Sequence, residues 1–125
     1  MAGPHPGLSL RPGFRRGGGR IAFVPASFPT TGVIDAAREA ELYHAPREAG
    51  AVARTLDAVA RVGAADGVTL VHQPDDTLTP ELMTKAEFAA ESARENGDVV
   101  HKSPPFAAIM MRAALGALEA RAEAA

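Results

Sequence analysis

The run from Arg47 to Arg61 constrains the fold most, because its apolar residues can share one side only if the backbone is helical. Ala49, Val52, Ala53, Leu56, Val59 and Ala60 recur at three-and-four spacing, while Arg47, Glu48, Arg54, Asp57 and Arg61 fall on the opposite side. The spacing predicts a helix with one core face, entered through the proline-broken His44-Ala45-Pro46 and stopped at Gly63. Asp66-Gly67 predicts a turn, and the β-branched Val68-Thr69-Leu70-Val71 predicts a strand. Helix, tight turn and strand form the centre of the chain.

The flanking segments supply further elements. Ile21-Ala22-Phe23-Val24, closed by Pro25, reads as an edge strand, and Phe28 to Gly32 turns the chain. Val33 to Tyr43 reads as a first helix ending near Ala45. Past His72-Gln73-Pro74-Asp75-Asp76-Thr77, which reads as a loop, Thr79-Pro80-Glu81 is a helix start, and the segment from Pro80 to Asn96-Gly97 predicts a helix. Its apolar residues are mostly alanine, and Glu87, Glu91 and Glu95 stack like charges. Asp98 to His101 reads as a last strand. Ser103-Pro104-Pro105 then opens a C-terminal helix with Phe106, Ile109, Met110, Ala113, Ala114 and Leu118 on one face, and Met111 and Leu115 widening the stripe. The expected architecture is an α+β domain over residues 21–125. It has three to four helices and a small, mainly antiparallel sheet from residues near 21–24, 68–72 and 98–101.

Composition separates an arm from this body. Residues 1–20 hold six glycines, three prolines and four arginines with no acid, which leaves 9 of the 13 basic residues against all 15 acidic ones in the remainder. With Leu8, Leu10 and Phe14 as its only large apolar side chains, the arm is expected to be flexible and basic. The absence of cysteine removes disulfides, thiolate nucleophiles and cysteine-rich zinc sites. No apolar run approaches the ~20 residues of a membrane span, and no signal-peptide core precedes the body, so the chain reads as soluble and unprocessed, with no membrane partner.

Little in the sequence carries chemistry. His72 and His101 each end a predicted strand, with Asp75 and Asp76 nearby; strand pairing would bring the two histidines together in a small metal- or ligand-binding enzyme site. The plainer reading is surface histidines and a solvated turn, with no cofactor. Gly17-Gly18-Gly19 lacks the lysine and Ser/Thr of a phosphate loop. Arg15, Arg16 and Arg20 suit acidic groups of a neighbouring subunit, or phosphates in an unspecific nucleic-acid contact. The six aromatic residues are dispersed, unlike a base-stacking surface.

The segment Ala45-Pro46-Arg47-Glu48-Ala49-Gly50-Ala51-Val52-Ala53-Arg54-Thr55-Leu56 resembles the Ala-Pro-x-x-Thr-Gly-x-Leu-x-x-Ser-Ile signature of small neck or tail-completion proteins of tailed bacteriophages, with Ala49 at the usual threonine. Pro105-Phe106-Ala107-Ala108-Ile109-Met110-Met111-Arg112-Ala113-Ala114-Leu115 is similar to the Pro-Phe-Leu-x-x-Ala-Leu segment that opens their C-terminal helix. Pro80 to Gly97 stands where those proteins carry a tyrosine-rich segment. The resemblance implies a virion protein without enzymatic activity, a ring component at the head-to-tail junction that meets copies of itself and neighbouring virion proteins. Outside that resemblance the same chain would be placed in the cytoplasm or as a subunit of another complex. The interaction residues expected on this reading are Arg15, Arg16, Arg20, Met111 and Leu115.

Overall fold

A computed structural model describes residues 21–44 and 49–124. Strand β1 spans Ile21–Phe23, helix α1 Ala36–Glu39 with a π-helical continuation Ala40–His44, helix α2 Ala49–Ala65 and strand β2 Val68–Leu70. Two 3-10 turns, Asp75–Thr77 and Ala86–Phe88, precede helix α3, Ala93–Asn96, and helix α4, Pro104–Ala124. The fold is α+β, with four helices and a two-stranded sheet among the described residues.

The sheet is parallel, with Ile21 opposite Val68 and Phe23 opposite Leu70, which corrects the antiparallel expectation. The long connection that carries α1 and α2 explains it. Parallel strands need a crossover of a dozen or more residues, and here α2 returns the chain and packs against β2. Helix α4 covers both strands.

Gly63 lies inside α2, where it was expected to end the helix. A Cβ there would meet the Val68 carbonyl oxygen at 3.2 Å, so glycine lets the helix close onto the strand that follows it. The stop comes at Gly67, whose φ of 78° is left-handed and whose amide bonds the Ala64 carbonyl at 3.1 Å. The first helix also starts later than Val33. Asp35 caps it through a bond from the Arg38 amide, and buried Val33 lies ahead of it in the core.

Residues 80–97 do not form one helix. Thr79 and Met83 tie a closed turn in which the Met83 amide donates to Thr79 Oγ1 at 3.1 Å, the Thr79 amide donates to the Met83 carbonyl at 2.8 Å, and Leu82 takes φ 62°. The Thr84 amide then bonds Pro29 and the Lys85 amide bonds Thr77, so this backbone satisfies itself against distant segments. Only Ala93–Asn96 is helical, ended by left-handed Gly97. Nor do residues 98–101 form a strand. Asp98 Oδ1 accepts the Val100 and His101 amides at 3.0 Å each, which curls the chain into a turn. Helix α4 begins as expected at Pro104, with the Ser103 carbonyl accepting from Phe106 and Ala107; Ser103 Oγ, expected to cap it, is buried without a hydrogen-bond partner among the described residues.

Among the described residues the buried apolar set is small: Val33, Val71, Met83, Ala93 and Phe106, with the Phe88 ring 5.6 Å from that of Phe106. No helix among the described residues is long and apolar enough to cross a membrane.

Candidate functional site

Three features stand out, and the first is polar. Gln73 lies at the centre of a buried knot: its amide nitrogen donates to Thr84 Oγ1 at 2.9 Å and Thr77 Oγ1 at 3.1 Å, and its oxygen accepts the Phe28 amide at 3.0 Å. Thr84 in turn donates to the Phe28 carbonyl at 2.7 Å, and Thr77 to the Pro74 carbonyl at 2.6 Å. Thr30, Thr77 and Thr84 are wholly buried. A second clasp surrounds Glu39, which is 5% exposed. Its carboxylate accepts Thr31 Oγ1 at 2.6 Å and the Gly32 amide at 2.8 Å, and it contacts His44 Nε2 at 3.1 Å. Burial alone would raise this carboxyl's pKa, yet the bonds from Thr31, Gly32 and His44 outweigh it and hold the group below its ordinary value. The bonds of Gln73 and Glu39 run to backbone and side chains of the fold, so these clusters hold residues 28–32 and 74–84 in place.

The second feature is an apolar groove of about 310 Å³ between α2, α4 and the segments that leave the two strands. Leu56, Val52, Phe28, Val71 and Met110 line it, with His72 on its wall. The third is the outer face of α4. Met111 is 68% exposed and Leu115 59%, on the side away from buried Phe106.

The residues singled out by sequence are dispersed among these features. Arg15, Arg16 and Arg20 lie outside the described residues. His101 Nδ1 pairs with Asp98 Oδ2 at 2.7 Å, exposed, and the His101 amide and ring together lower the Asp98 pKa. His72 belongs to the groove, and Asp75 is exposed at the start of a 3-10 turn. Among the described residues no three His, Asp or Glu side chains form a group able to hold a metal ion. Lys102 instead donates to the Val99 and Val100 carbonyls at 2.9 Å each, and burial lowers its pKa against the pull of Asp98. Sequence reasoning missed Gln73 and Glu39. Each sits in a polar stretch that reads as solvated until distant threonines or a neighbouring turn close on it.

Comparison of the chain with protein-family models, curated proteins and solved structures finds no match.

Proposed function

We propose that this protein is a structural subunit that assembles with copies of itself, a neck or tail-completion component closing a ring at the head-to-tail junction of a tailed bacteriophage particle. The observation that carries the assembly reading is the outer face of α4, where Met111 and Leu115 stand in solvent while few apolar side chains are buried among the described residues. An apolar face of that kind is stabilised when a partner covers it. The address at the head-to-tail junction rests on the resemblance of residues 45–56 and 105–115 to the family's two segments.

In such a ring, the apolar contact comes from Met111 and Leu115. Arg15, Arg16 and Arg20 of one copy meet acidic side chains of the next, such as Glu87, Glu91 and Glu95, all exposed. The direct test is the protein content of tailed particles purified from cells that encode the chain. The reading predicts its presence at a fixed copy number per particle, resistant to washing; particles that lack it overturn the virion assignment.

A further inference from the structure

The outer face of α4 has the pattern of a helix seam. Ala108, Met111, Leu115 and Leu118 are spaced three, four and three residues apart, the repeat that lets two helices pack knobs into holes. On this line Met111 and Leu115 are exposed and Ala108 and Leu118, the latter expected on the core face, are half-buried at its edge, while Phe106, Met110 and Ala113 face the body. Arg112 and Glu119 flank the seam on the same side, one heptad apart and both exposed. Neither has an ion-pair partner among the described residues.

Those two charges select one arrangement. In a parallel pair of identical helices, the positions beside Arg112 and Glu119 are Ala107 and Ala114 of the second copy, so neither charge finds its opposite. In an antiparallel pair with Leu115 layered on the second copy's Leu118, the two-fold axis sets Arg112 against the second copy's Glu119, and Glu119 against its Arg112. One face thereby supplies the apolar seam and both halves of two reciprocal ion pairs. A helix of 21 residues, about 30 Å long, is ample for this contact.

We infer that α4 pairs with α4 of a second copy in this antiparallel, two-fold register, through Met111, Leu115 and Leu118 with Arg112 and Glu119 as reciprocal partners. The pairing does not rest on the virion reading. Because it occupies Met111 and Leu115, it is the form of the free protein, and it must open wherever a ring contact uses the same side chains.

Sedimentation equilibrium of the full chain tests it with two charge reversals. The parent should show a concentration-dependent approach to twice the monomer mass. Arg112→Glu and Glu119→Arg should each weaken self-association at least about tenfold, since each sets like charges together twice. An equimolar mixture of the two variants should recover the doubled mass, because two glutamates of one then face two arginines of the other. A mixture no better than either variant alone, or variants that associate like the parent, would overturn the register. A parent that stays monomeric at every concentration would overturn the pairing itself. Both positions are exposed, so each variant should keep the parent's helical signal, and recovery in the mixture is itself proof that they fold.

Discussion

Glu39 shows how one buried carboxylate can organise a stretch with little apolar content. It closes the Thr31-Gly32 turn onto α1 and reaches His44 at the end of the π-helical turn. Glu39→Gln should cost on the order of 1–3 kcal/mol in chemical denaturation, because the amide keeps the shape while half of it presents hydrogens to groups that donate. The pH dependence has a fixed sign. The carboxyl's pKa is lower in the folded chain than its ordinary 4.5, so its stabilisation is complete above that value and is lost as pH falls through the folded-state value. The melting-temperature gap between parent and Glu39→Gln should therefore narrow from about pH 6 to about pH 3. A gap that widens in acid would mean that the carboxyl is not held ionised. None of this was legible in sequence, where Glu39 reads as one polar position of a surface helix.

At the scale of elements, what could be read was what repeats locally. The period of α2, the Asp66-Gly67 turn, the β-branched run of β2 and the proline start of α4 all follow from neighbours in sequence, and all are present. Strand direction and the fate of residues 80–97 depend on distant partners, and there local signals misled. Thr79-Pro80-Glu81 carries the chemistry of a helix cap and of a tight turn alike, and the Pro29 and Thr77 carbonyls, which accept the Thr84 and Lys85 amides, decide for the turn. Leu82 separates the two outcomes. In a helix, Leu82→Gly would cost about 1 kcal/mol. At φ 62° it relieves a left-handed conformation that costs a leucine roughly 1–2 kcal/mol, so the substitution should be neutral to stabilising after the lost side-chain contacts are counted. Thermal denaturation of that one variant gives the sign.

For the whole molecule, the small set of buried apolar side chains among the described residues and the long α4 belong together. Phe106 anchors the start of α4 while Met111 and Leu115, further along, remain wet, and Val62 on α2 is 71% exposed. The candidate face was half legible: Met111 and Leu115 stood out as surplus to one packing side, but which side is covered depends on how α4 lies across the sheet. The described residues supply the sheet and the helices that cover it, so deleting residues 1–20 should leave a folded domain with the parent's helical signal. If the arginines act as assigned, that variant should enter rings poorly at low salt, with the difference fading as ionic strength rises.

If the outer face of α4 is where this protein associates, sedimentation of the parent beside Met111→Glu shows it. A charge buried in an apolar seam costs free energy, whereas the same charge on a free surface is harmless. The parent should be heavier than one chain and the Met111→Glu variant folded and monomeric at the same concentrations; a variant that associates as the parent does would place the contact elsewhere.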